Sequence, residues 1–147
     1  MRNYLERFVI IGENINMTVE KIRNSISYCG LICILCCSDG TCDCRSINNC
    51  GKKSSSKGCF QYECCVKNGF TGCWECPDFS CDKDMFNNEH LRLKTFVKCI
   101  KEDGINKFSE YILRNYNDGI VYHRDGYKGD YDLDTEEAIL KLLRNGK

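Results

Sequence analysis

Cys29, Cys33, Cys36 and Cys37 open a run of thiols that continues through Cys42, Cys44, Cys50, Cys59, Cys64, Cys65, Cys73, Cys76 and Cys81. Thirteen of the fourteen cysteines in this 147-residue chain lie in that stretch. A segment so rich in sulfur cannot build an ordinary apolar core, so thiol chemistry must hold it together, as metal thiolates or as disulfides. The spacing favours metal. Cys73-x-x-Cys76 is the knuckle that lets two sulfurs reach one zinc at about 2.3 Å while backbone N–H groups bond back to them. One knuckle is weak evidence, but four cysteine groups in succession point to metal, without saying which.

The first group, Cys29-x3-Cys33-x2-Cys36-Cys37, would place four sulfurs within an arc of about 100° if it were helical. Its spacing is also that of the radical-SAM iron–sulfur signature. Those enzymes set the motif on a partial βα barrel of on the order of 200 residues, whereas here more cysteines follow it. The spacing still admits an iron–sulfur cluster. Cys42 and Cys44 form a tight bite, and Arg45 beside them could offset thiolate charge. The neighbours Cys36 and Cys37, like Cys64 and Cys65, cannot easily serve one mononuclear metal together, so one member of each pair is spare, bridging or reactive. Trp74 and Phe79 are expected to roof a metal site. Cys99 lies outside the run and reads as a small buried hydrophobe. His90 and His123 read as packed or surface histidines, although three-cysteine, one-histidine zinc sites are common. Lys52, Lys53 and Lys57 read as a solvated loop.

The elements that must position these thiols are short. Thr18 can cap a helix over Val19 to Ser27, with Glu20 in its first turn. Ser38-Asp39-Gly40 and the loop from Gly51 to Gly58 interrupt the cysteine region, the loop serving as a connection between two metal-binding halves. Beyond Cys81 the pattern becomes helical. Phe86, His90, Leu93, Val97 and Ile100 form one apolar stripe that stops near Gly104. Ile105, Phe108, Tyr111, Ile112 and Tyr116 form a second, ending by Gly119. Ile120 to His123 reads as a strand, Arg124 to Asp132 as a turn region, and Asp134 with Glu137 as a capping-box start for a helix over Ala138 to Leu143. The predicted fold class is therefore small α+β, an irregular metal-stabilised N-terminal half packed on a mainly helical C-terminal half. The expected divisions are a lead-in at 1–26, a cysteine-rich region at 27–84 and a helical region at 85–147. Met17 reads as an alternative start, since Gly12-Glu13 can be encoded by a ribosome-binding sequence upstream of it. A short strand at Phe8 to Ile11 is the competing reading of that lead-in.

Charge narrows the function classes. Lys plus Arg equals Asp plus Glu, twenty-one each, and each four-cysteine zinc site would add about two negative charges. Nucleic acid is therefore a disfavoured partner. No run approaches the roughly 18 apolar residues of a membrane span, and Phe8 to Ile11 is too short for a signal-peptide core. A reducing cytoplasm is the expected setting, where cysteine clusters are more often metal-binding than disulfide-bonded. No paired carboxylates, Ser–His spacing or phosphate loop argue for an enzyme.

Tyr28-Cys29-Gly30-Leu31-x-Cys33-x-x-Cys36, Cys44-Arg45, Cys59-x4-Cys64 and Cys73-x-x-Cys76-Pro77-x-Phe79-x-Cys81 together resemble domain of unknown function 3795, a prokaryotic cysteine-rich family regarded as zinc-binding, without an established activity. The resemblance spans roughly Ser27 to Ile112, with Leu91-Arg92-Leu93 and the Gly104-Ile105 break also similar. It implies that Cys29, Cys33, Cys36, Cys44, Cys59, Cys64, Cys73, Cys76 and Cys81 are the metal ligands, and that Cys37, Cys42, Cys50, Cys65 and Cys99 are additions. Asp43 stands where that family usually places glycine. The expectation is a zinc protein with structural sites acting as an interaction or ligand-binding module for an unidentified protein or small molecule. An iron–sulfur or thiol redox protein is the alternative, and a metal store a third reading.

Overall fold

The computed structural model describes residues 16–36, 44–45, 58–87, 91–123 and 128–147. Among them are six α-helices: α1 (Val19–Ser25), α2 (Cys33–Cys36), α3 (Phe60–Asn68), α4 (Leu91–Asp103), α5 (Ile105–Asn117) and α6 (Glu136–Asn145). Two 3₁₀ turns, Cys73–Glu75 and Asp84–Phe86, lie between α3 and α4.

The described residues contain no strand, only an isolated antiparallel bridge between Ile26 and Ile32, so the α+β expectation gives way to a small, helix-rich fold. The predicted strand at 120–123 does not form, because its backbone finds other partners. Val121 N–H donates to the Asp130 carboxylate at 2.7 Å, and the backbone bond from Asp130 N to Val121 O runs alongside. Tyr122 is instead drawn inward by its ring and hydroxyl.

Local chemistry sets the helix ends. The Thr18 hydroxyl accepts from Lys21 N at 3.1 Å, and α1 ends at Ser25, two residues earlier than its pattern suggested. Gly104, at φ +91, breaks α4 from α5, and Gly119, at φ +84, follows α5. In α6 the cap is Thr135, whose hydroxyl accepts from Ala138 N, rather than the expected Asp134. Phe86 belongs to the preceding 3₁₀ turn, not to the helix its spacing had joined it to.

Two apolar clusters share α4. Phe96, Cys99 and Ile100 face the larger one, with Ile22, Ile26 and Ile32 from the N-terminal side and Phe108, Ile112, Ile139 and Leu143 from α5 and α6. The Phe96 ring packs edge-on against Phe108 and Tyr131, with centroids at 5.3 and 5.4 Å. Tyr122 joins this aromatic group, and its hydroxyl accepts from Ile32 N at 3.0 Å. Cys99 is fully buried here, as expected of a small hydrophobe. Leu93 and Val97 face the smaller cluster, where Cys29, Cys65 and Cys73 are buried beside Phe86. No helix among the described residues is long and apolar enough to cross a membrane.

Candidate functional site

Gly30 decides where the first thiols go. Its φ of +92 turns the chain after Cys29, and Ser27 N to Leu31 O and Gly30 N to Ser27 O close the loop. A side chain could not replace it easily, since a Cβ there would stand 3.2 Å from Val97 Cγ2 on α4. The helix therefore begins only at Cys33 and covers a single turn to Cys36. The helical face expected to carry Cys29, Cys33, Cys36 and Cys37 does not form as such, because Cys29 lies in the turn before it.

Cys44 returns to this turn. It hydrogen-bonds the Cys33 sulfur, and that bond outweighs burial to hold the Cys33 thiol pKa below its ordinary value. Arg45 anchors the returning chain. Its Nε donates to Ile26 O and its Nη2 to Thr71 O, both at 2.7 Å, and its guanidinium lies 4.4 Å from the centre of the Tyr28 ring. Trp74 sits on its other flank, at 6.0 Å.

The second group is built around α3. Gln61 and Cys65, one turn apart, are its buried residues. The Gln61 amide donates to Lys83 O at 2.8 Å and accepts from Met85 N, while Phe60 N donates to Asp84 Oδ2. These bonds tie α3 to the Asp84–Phe86 turn. Gly69, at φ +71, ends the helix, and the chain returns so that Cys73 N donates to Tyr28 O at 2.9 Å. Cys76 N then donates to Cys73 O, closing the knuckle. A cavity of about 30 Å³ is left between these pieces, lined by Cys64, Cys65, Cys73, Cys76 and Cys81 with Phe60, Gln61, Phe70, Phe79 and Phe86. A space of that order accommodates a single ion or water. Phe79 is thus part of its wall, and Trp74 packs against both apolar clusters.

Cys65 and Cys73 are in contact inside this group, with sulfurs 3.7 Å apart. Their hydrogen bond divides their acidities, raising the pKa of Cys73 and lowering that of Cys65. The Arg45 charge also favours the Cys65 thiolate. Cys29 is buried in the same cluster and lies within electrostatic reach of Cys59 and Cys44. Burial pushes its thiol up to about 12, against a hydrogen bond from Ser27. Cys59 stands at the N-cap position of α3 without a side-chain cap bond, and burial raises its pKa too.

Of the nine expected ligands, then, Cys64, Cys73, Cys76 and Cys81 line one cavity, Cys33 and Cys44 meet, Cys36 closes α2, Cys29 is buried beside Cys65 and Cys73, and Cys59 stands at the start of α3. Among the described residues no three or more His, Cys, Asp or Glu side chains form a group that could hold a metal ion, and no disulfide joins two described cysteines. Cys65, set aside by the resemblance, is the buried thiol of α3; its four-residue spacing from Gln61 was the available signal, obscured because glutamine does not read as a buried residue. Cys37, Cys42, Cys50 and His90 lie outside the described residues, as do the lead-in to residue 15 and most of the 51–58 loop. Comparison with family models, with curated proteins and with solved structures finds no match to this chain.

Proposed function

We propose that this chain is a zinc-binding protein whose metal sites are structural, presenting a folded surface for an interaction partner or ligand. The convergence of cysteines from three segments, Cys64 and Cys65 on α3, Cys73 with Cys76, and Cys81, on one cavity of about 30 Å³ carries this reading. The donor set suits zinc, which takes four thiolates in a closed tetrahedron. Two of these sulfurs, Cys65 and Cys73, stand 3.7 Å apart, and a cysteine sulfur moves by rotation about a single bond, χ1. One ion would be held at that cavity. A second would draw on Cys33, Cys36 and Cys44 with Cys29 or Cys59. Bound zinc would supply the cross-links that this part of the chain cannot obtain from apolar burial, and Arg45 stands close enough to temper the thiolate charge. Membership in domain of unknown function 3795 is part of the proposal and rests on the sequence resemblance alone.

Elemental analysis and an absorption spectrum of anaerobically purified, untagged protein test it. About two zinc per chain in a colourless solution is the expected result. Iron with sulfide and a broad band near roughly 400 nm would replace it with an iron–sulfur protein, and a metal-free chain would sink both.

A further inference from the structure

Resting on that reading, we infer that Cys65, and not its neighbour Cys64, is the ligand α3 gives to the zinc site formed with Cys73, Cys76 and Cys81. The helix itself separates the two candidates. Adjacent residues on an α-helix point about 100° apart, so only one of them can face the cavity squarely. Gln61 and Cys65, at i and i+4, are each 1 % exposed and form the inward row. Phe60, Cys64 and Asn68, at i, i+4 and i+8, form the adjoining row, where Phe60 and Asn68 are exposed and Cys64 is half-buried.

The neighbours of each sulfur agree with this division. Cys65 Sγ already stands 3.7 Å from Cys73 Sγ, and Cys81 packs against its buried cluster. The Cys64 sulfur lies 3.6 Å from Asn68 Nδ2, whose main bond is to Cys64 O at 2.7 Å. The inward row is also pinned in register, because the Gln61 amide is bonded to the backbone at Lys83 and Met85. Rolling α3 to bring Cys64 inward would break those bonds and turn Cys65 out of the apolar cluster. Cys76 and Cys81 line the same cavity as the Cys65–Cys73 pair, and Cys81 lies within electrostatic reach of Cys73.

The test uses the full, reduced chain loaded with cadmium-113, which takes the same thiolate ligands and shows scalar coupling to the β-protons of each cysteine that binds it. Coupling to Cys65, Cys73, Cys76 and Cys81, with none to Cys64, is the expected result. Coupling to Cys64, alone or beside Cys65, overturns the assignment while leaving the zinc-binding function standing. Cadmium coupled only to Cys33, Cys36 and Cys44 does the same. A chain that takes up no cadmium removes the function as well. As a second measurement, Cys64→Ser should retain the full metal complement, and Cys65→Ser should lose one equivalent per chain; the reverse pattern refutes the inference.

Discussion

Arg45→Ala is the substitution that most directly probes how the cysteine segment is attached to the helical core. Its guanidinium makes two 2.7 Å bonds to backbone carbonyls and stacks on Tyr28. The bond to Ile26 O is part-buried, and Ile26 itself is fully buried. A hydrogen bond from a charged donor contributes about 1.5 kcal/mol or more in such a setting. The bond to Thr71 O is exposed and contributes less, and the ring contact adds about 0.5–1 kcal/mol. Together the loss should be about 3 kcal/mol, which for a urea slope of about 2 kcal/mol/M lowers the unfolding midpoint by about 1.5 M. Lysine should not restore it, because a single ammonium cannot span two carbonyls as the planar fork does. The same substitution should release Cys44 from Cys33, so both thiols should be alkylated faster in native protein, as read by mass spectrometry. A midpoint shift below about 0.3 M, with unchanged alkylation, would refute the idea that Arg45 holds this segment in place.

Two further predictions concern the helical part. Thr135→Ala should cost about 1 kcal/mol by removing the cap of α6, whereas Asp134→Ala should change stability by less than about 0.5 kcal/mol; equal effects in thermal melts would mean the cap is misassigned. Asp103 receives two bonds from Arg144 and one from Tyr111, and the Arg144 guanidinium foremost holds its carboxyl below the ordinary value. A depressed folded pKa gives stability that is fully present above the unfolded value of about 3.9 and is lost as pH falls through the folded one. The wild-type unfolding midpoint should therefore fall more steeply below about pH 4 than that of Asp103→Asn, and parallel curves would exclude this ion pair as the cause.

How much of this was legible depends on whether a residue's role was local. The Thr18 cap and the Gly104 break rest on contacts within a few residues, and the stripes of α4 and α5 on the helical period, which sequence spacing reports directly. Residues 120–123 misled because strand-like composition says nothing about whether a partner strand exists, and Asp130 supplies a side-chain acceptor instead. The first cysteine group misled for a different reason. Helical spacing assumed one continuous helix, while Gly30 takes a positive φ where it passes against Val97, a long-range constraint. Cys65 is the same problem in miniature: which of two adjacent thiols faces inward depends on the register of α3, and that register is fixed by Gln61 reaching residues more than twenty positions away.

The division of α4 between two clusters leads to a last prediction, on metal removal. The larger cluster draws on α1, α5 and α6 and, among the described residues, contains one buried cysteine, Cys99, outside the candidate ligands. The smaller has, among the described residues, six buried ones, of which Cys29, Cys65 and Cys73 are three. Burying a thiol contributes little beside burying an isoleucine or phenylalanine, and in the reduced apo-protein α3 and the Cys73–Glu75 turn would be held mainly by Phe86, Leu93 and Val97 with the half-buried Phe70, Trp74 and Phe79 packed on them. A strong chelator with reductant should therefore not unfold the chain in one step. Amide protection should be lost across residues 58–82 while α4, α5 and α6 keep theirs, and far-UV helicity should fall by less than about a third, in keeping with sub-global opening of the less apolar unit. Hydrogen exchange read by mass spectrometry separates the outcomes. Uniform loss of protection would show that Leu93 and Val97 couple the clusters into one cooperative unit, and complete retention would show that the thiol region folds without metal, against the structural role proposed for zinc.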